Sequence, residues 1–296
     1  MTRPLVPRYG IAEWYGQSFR DLDSSQRQTL ARIARDDDAE PPTCPFQHRR
    51  PCSKRGGVCS LQRVQWAAPD RMGPSAGPRV VTCPHRFDEA GVVVRWLAEI
   101  VGFDPAITQL AREVPFMQAV ANPDRAAGRI DLVLAQTAGD ALDWYGLEIQ
   151  AVYFSGPGMG SEFDRLSHDV QLQPPFPNKV RRPDWRSSSA KRLMPQLQVK
   201  VPTLRRWGKK LAVAVDRAFF DALGGPSTDP VQDLDEGEVL WLVPAIDADG
   251  RLARGHWEML SLDESSQKLL AAETVRRIEF EQALQSRLQP LLHSRQ

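Results

Sequence analysis

Apolar residues along the chain follow two rhythms. Between Asp23 and Arg35 they recur at helical spacing behind a cap at Asp23 or Ser24, and the acidic run Asp36–Asp38 with Pro41 closes that helix. A second helix is predicted from Asp88 to Gly102: Val92, Val93, Trp96, Leu97, Ile100 and Val101 share one face, and Gly102 stands where a C′ glycine belongs. Strand patterns come next. Arg129–Gln136 alternates Ile130, Leu132 and Leu134, Trp144–Phe154 reads WYGLEIQAVYF, and Thr137–Asp143 supplies the turn between them. Leu211–Asp216 reads as a buried strand, Arg217–Leu223 as the start of a helix, Val239–Ile246 as another strand, and Asp263 to Leu288 as a long helix. The Gly- and Pro-rich stretch Ser155–Arg186 exceeds what packing requires and is a candidate functional loop. Helices flanking several strands without regular βαβ alternation give an α/β or α+β core.

Composition narrows the class. With 296 residues, 42% of them hydrophobic, the chain is too apolar to be disordered and long enough to bury a sizeable core. No apolar run approaches the roughly 20 residues of a membrane span, and MTRPLVPRYG lacks the apolar stretch of a secretion signal, so a cytoplasmic protein with no membrane partner is expected. A net charge of +1 excludes a globally basic nucleic-acid binder.

The charge is nevertheless polarised by segment. Phe176–Lys210 holds eleven basic residues against Asp184, Cys44–Arg86 holds eight against Asp70, and Asp221–Glu264 holds eleven acids against two arginines. Such a chain can offer one basic face to a polyanion while the remainder keeps it soluble.

All four cysteines, Cys44, Cys52, Cys59 and Cys83, fall within one window of 40 residues. Nothing marks the chain as secreted, so reduced thiols are expected, and four thiolates are the right number to close a tetrahedral site around zinc or iron. Pro45, Pro51, Gly56, Gly57 and Pro84 break regular structure, which predicts a loop-rich segment that a metal could organise. His48 and His85 are bystanders to these thiols; four buried free cysteines are the other reading. The chain accordingly divides into residues 1–86, with the cysteine fold, and residues 87–296.

The central strands carry the other chemistry. Asp131 starts the first. Glu148 and Gln150, two apart on the second, share a face, while Ile149 and Ala151 face the core. If the strands are neighbours, Asp131 meets Glu148 at one edge, and two carboxylates with a carbonyl oxygen suit magnesium. Magnesium there polarises a phosphodiester and activates water, with Gln150 orienting that water or contacting the scissile phosphate.

Taken together, GIAEWYG (Gly10–Gly16), CPFQHRRPCSKRGGVCSL (Cys44–Leu61), TCPHRF (Thr82–Phe87), GRIDLVL (Gly128–Leu134), GLEIQAVYFSG (Gly146–Gly156) and QVKVPTLRRWGKKLAVAVDRAFF (Gln198–Phe220) resemble the NotI-type restriction endonucleases. The resemblance implies a PD-(D/E)xK nuclease core, a mixed sheet flanked by helices, with an added four-cysteine metal fold. It also implies a homodimer that cuts a palindromic, GC-rich site in double-stranded DNA with Mg2+. Asp131, Glu148 and Gln150 fall on the catalytic positions, Gln150 standing where the wider superfamily has lysine. Cys44, Cys52, Cys59 and Cys83 fall on the ligands of a structural metal, iron or zinc. Residues beyond 220 carry no matching motif.

For DNA, phosphate neutralisation is assigned to Lys200, Arg205, Arg206, Lys209 and Lys210. Base reading falls to Arg49, Arg50, Lys54 and Arg55 in the cysteine loop and to Arg181, Arg182 and Arg186 in the long loop. Competing readings are a non-catalytic DNA-binding protein, a less specific nuclease of defence or repair, and a metal-storage or redox role for the thiolates. The helix Asp263–Leu288 is either a dimer contact or a cover for its own core.

Overall fold

The computed structural model describes residues 6–47, 50–139, 141–270 and 275–288. It is a mixed α/β structure built on two main sheets. The smaller comes first: β1 (Arg8–Trp14), β2 (Gln17–Ser18), helix α1 (Ser24–Arg35), β3 (Val58–Ala67) and β4 (Arg71–Val81), ordered β2-β1-β3-β4 and paired antiparallel. Helix α1 begins as its sequence dictates, with a reciprocal capping box between Asp23 and Gln26. Its Leu30 and Ala31 pack with Trp14, Phe19, Val64 and Phe163. The cysteine segment is less loop-rich than expected. Most of residues 58–81 is strand, with Val58, Leu61, Val64, Met72, Val80 and Val81 buried despite the scattered Gly and Pro.

The larger sheet follows. After a 3₁₀ stretch (Pro84–Gly91) come α2 (Val92–Ile100), β5 (Gln109–Ala119), β6 (Asn122–Ala138) and β7 (Ala141–Gln150). The long connection holds the short pair β8 (Phe154–Ser155) and β9 (Arg182–Pro183), with α3 (Gly160–Leu166) between them. A helical run then passes from α4 (Trp185–Ser188) through a π turn into α5 (Met194–Arg206). Next are β10 (Leu211–Val215), α6 (Arg217–Ala222), β11 (Val239–Ile246), β12 (Leu252–Leu260), α7 (Leu262–Leu270) and α8 (Arg277–Gln285). The strand order is β12-β11-β10-β7-β6-β5, with β7, β10 and β11 parallel and the others antiparallel to their neighbours.

Both faces of this sheet are covered. Leu197, Val201 and Leu204 of α5 pack with Val213, Val215 and Phe219 on one face; Trp96 and Leu97 of α2 pack with Leu132, Leu147, Ala212 and Leu240 on the other. The central strands are therefore buried on both sides, which explains their near-continuous apolar runs.

Two further expectations change. Asp88 does not cap α2, whose N-cap is Gly91; Asp88 is instead held by Arg112 at 2.7 Å. The pattern from Asp263 to Leu288 is not one packed helix: α7 ends at Leu270, residues 271–274 lie outside the described set, and Ile278, Phe280 and Leu284 of α8 are exposed. Among the described residues, no helix is long and apolar enough to cross a membrane.

Candidate active site

Strands β6 and β7 are antiparallel neighbours, paired through Leu132 and Leu147. One residue beyond that pair, Asp131 and Glu148 interlock. Asp131 Oδ2 accepts the Ile149 backbone N–H at 2.9 Å, and the Asp131 N–H donates to Glu148 Oε1 at 3.4 Å. Strand pairing thus brings together the two carboxylates that the sequence singles out.

Their surroundings differ from the sequence picture. Glu148 and Gln150 are almost wholly buried on the face covered by α5, while Ile149, as expected, packs against the core of the opposite face, and Ala151 is buried. Burial pushes Glu148 up to about 7, the like charge of Asp131 adds to this, and Lys200 opposes it. Asp131 is also raised by burial, against the Ile149 N–H and Lys200. Gln150 Nε2 donates to the Ala151 carbonyl at 2.5 Å.

Asp131, Ile149 and Gln150 open onto a cleft of about 1430 Å³. Its other walls come from the end of α1 (Arg35), the cysteine loop (Lys54, Arg55), β5 (Arg112), the connection after β7 and the π turn (Arg192). A shallower recess shares Asp131 and is lined by Arg125 and Arg129. Sequence reasoning missed Arg35, Arg112, Arg125, Arg129 and Arg192. The first lies in a solvated helix, the next three on strands whose extent the pattern did not reveal, and the last in a run whose basic residues gave no sign of which face the cleft.

The cysteines converge as well. Cys44, Cys59 and Cys83 are buried with Phe46, Cys52 packs half-buried against them, and none forms a disulfide. The backbone makes the cluster: Cys44 N–H donates to Arg50 O, Cys52 N–H to Pro42 O, and the Thr82 and Cys83 N–H groups to Cys59 O. Gly57 turns with φ +64°, and a Cβ there would lie 2.2 Å from the Tyr15 ring. Gly16 N–H donates to Cys59 Sγ at 3.3 Å. Burial raises the thiols of Cys52, Cys59 and Cys83. As a donor set, four sulfurs suit zinc or iron. Among the described residues, however, no group of three or more His, Cys, Asp or Glu side chains is disposed to hold a metal ion.

The family model for restriction endonuclease NotI matches residues 27–256. The chain belongs to the NotI restriction endonuclease family. No curated protein matches it. Membership implies a sequence-specific type II restriction endonuclease acting on double-stranded DNA.

The basic residues can now be placed. Lys54 lines the cleft, but its ammonium is tied to the Thr82 carbonyl and hydroxyl. Arg55 is exposed and pairs with Asp37; Arg50, Arg182 and Arg186 are exposed; Arg49 lies outside the described residues. Arg181 is not a surface reader. It is buried against Glu162 at 2.8 Å and spans the Pro157 and Gly158 carbonyls.

The run at the end of α5 faces away from the site. Arg205 binds Glu238, Arg206 is exposed beside Thr203, Lys209 binds Asp143, and Lys210 donates to the Leu234 carbonyl. Asp143 stands five residues before Glu148 on β7, roughly 17 Å along the strand. Lys200 departs furthest from a phosphate-binding surface role, because its ammonium is buried 2.5 Å from Glu148 Oε1.

Proposed function

We propose that this NotI-family chain is a Mg2+-dependent type II endonuclease with a PD-(D/E)xK core, cutting both strands of a palindromic, GC-rich DNA site as a homodimer. The observation that carries the reading is the meeting of Asp131, which lines a cleft edged by arginines, with Glu148 buried directly behind it. The donor set fits the ion: Asp131 reaches the cleft, and Glu148 Oε2 is a buried carboxylate oxygen with no hydrogen-bond partner among the described residues. When bound, Mg2+ would polarise the scissile phosphodiester and lower the pKa of the attacking water.

The chain's own groups do the rest. Asp131 and Glu148 would hold the ion, each fixed through the other strand's backbone. Because Gln150 Nε2 is committed to the Ala151 carbonyl, its side-chain oxygen is left to accept a hydrogen bond from the attacking water and aim it. Arg35, Arg55, Arg112 and Arg192 would bind phosphates along the cleft, giving register without sequence. Exposed Arg50, Arg182 and Arg186, and with them Arg49, are assigned to base contacts. The cysteine cluster, loaded with iron or zinc, would hold the Lys54–Arg55 loop rigid at the cleft wall. No chemical step passes through that metal.

Digestion of genome-scale DNA with Mg2+, followed by sequencing of the ends, tests the proposal. Discrete fragments with a common palindromic end support it. Band shifts without cleavage, unaltered by Asp131→Ala, refute it and favour a DNA-binding protein.

A further inference from the structure

A phosphodiester site gathers negative charge as it reacts, and fixed cations placed beforehand stabilise that charge. On strand β7 the position two after Glu148 is Gln150, which carries none. The nearest fixed cation comes from elsewhere. Lys200, on α5, places its ammonium 2.5 Å from Glu148 Oε1 and 3.0 Å from Gln196 Oε1, one helical turn earlier.

We infer that Lys200 is a positioning residue of the nuclease site: from the helix it supplies the positive charge that strand β7 lacks at Gln150, and it sets the orientation of Glu148. The inference rests on the nuclease reading above.

Three observations carry it. Lys200 sits among Leu197, Val201 and Leu204, the residues that fasten α5 to the sheet, and is only 5% exposed. Desolvating an ammonium there is costly unless a partner compensates, and Glu148 is the carboxylate paired with it. Gln196 accepts a second bond and fixes the ammonium's direction. Finally, the two oxygens of Glu148 have different roles. Oε1 is held by Lys200 and by the Asp131 N–H, while Oε2 is buried with no hydrogen-bond partner among the described residues. With Oε1 held in this way, Oε2 is the oxygen of Glu148 left for a cation.

The arrangement has a signature that simple structural support lacks. An ammonium beside a divalent cation repels it and competes for the same carboxylate, so removing Lys200 should tighten metal binding while slowing cleavage. Lys200→Met keeps the length of the side chain without its charge. Calorimetric titration with Mn2+ in the absence of DNA, at alkaline pH where protons no longer compete for Glu148, should give at least threefold tighter binding than the parent. Single-turnover cleavage at saturating Mg2+ should fall at least thirtyfold, with DNA affinity in Ca2+ within twofold. Lys200→Arg, which keeps the charge, should bind Mn2+ within twofold of the parent and cleave faster than Lys200→Met.

If circular dichroism shows Lys200→Met unfolded, Lys200→Gln, which can still donate to Glu148, is read by the same criteria. Mn2+ binding no tighter than in the parent, or a cleavage rate within threefold of it, overturns the inference while the nuclease reading stands. A parent protein that leaves DNA intact overturns both.

Discussion

Asp216 Oδ2 accepts the backbone N–H of Val81 at 2.8 Å, so a carboxylate from the large sheet holds the last residue of the small one. Its other oxygen caps α6 through the Phe219 N–H at 2.7 Å. The held end matters because Cys83 follows two residues later. A second tie lies nearby: buried Arg86 joins Glu13 of β1 at 2.9 Å and donates to the Gly250 carbonyl beyond β11. The cysteine cluster is thus fastened to the sheet that carries Asp131 and Glu148.

The Asp216 contact makes stability depend on pH with a definite sign. Complete burial pushes Asp216 up to about 7, against the backbone N–H groups of Phe219, Val81 and Ala218. A folded-state pKa above the unfolded value means that the native state holds the proton more tightly. The stabilisation is full below about pH 4, declines as pH rises towards about 7 and is flat beyond. Asp216→Asn cannot titrate and offers one acceptor oxygen in place of two, which costs about 1–3 kcal/mol. In urea unfolding at pH 4.5 and 7.5, the parent's advantage over Asp216→Asn should be larger at pH 4.5. An advantage equal at both values would refute the assignment.

At the carboxylate pair, exchange of charge for amide should separate binding from chemistry. Asp131→Asn and Glu148→Gln preserve shape but weaken any hold on a divalent cation, and each should lower cleavage by at least about 10²-fold. Band shifts in Ca2+ should stay within a few-fold of the parent, since phosphate contacts supply most of the affinity. Either variant cutting at parental rate would remove that residue from the site.

Legibility followed local pattern. Helix α1 was readable because its capping box and apolar spacing agree, and β10 and β11 because an uninterrupted apolar run suits a strand buried on both faces. Strand β5 was not, since it is an edge strand whose residues are mostly exposed and show no alternation. Helix α5 was hidden by Pro202 and by basic residues that drew attention to charge, although Leu197, Val201 and Leu204 keep helical spacing. Asp131 and Glu148 share a recognisable local motif. Lys200 reaches the same site from a helix 52 residues after Glu148, and only the packing of α5 on the sheet reveals it.

Arg181 and its sequence neighbours should respond in opposite ways. Arg181→Ala leaves buried Glu162 with no cation and only the Asn178 and Lys179 backbone N–H groups, a loss of about 3 kcal/mol that should appear as a large drop in Tm. Arg182→Ala and Arg186→Ala remove exposed cations and should leave Tm within about 2 °C, the range of ordinary surface substitutions. Their effect should be weaker DNA binding with a shallower dependence on salt. A thermally silent Arg181→Ala would show that Glu162 finds another partner.

The cysteine cluster yields the last prediction. Cys52 is the half-buried member, and its Sγ lies 3.7 Å from the Lys54 carbonyl, so it is the thiol most directly joined to the loop that lines the cleft. If the four sulfurs hold iron or zinc, Cys52→Ser removes one soft donor, lowers the metal content of reduced protein and loosens the Lys54–Arg55 turn. The carboxylates lie on another sheet and keep their own hydrogen bonds, so the chemical step should be spared. DNA affinity should fall at least about tenfold, the scale expected when several phosphate contacts lose register, while the single-turnover rate at saturating DNA stays within about threefold. Metal analysis and band shifts on the same preparation decide the matter. Parental affinity with the metal gone would leave the cluster no part in holding DNA.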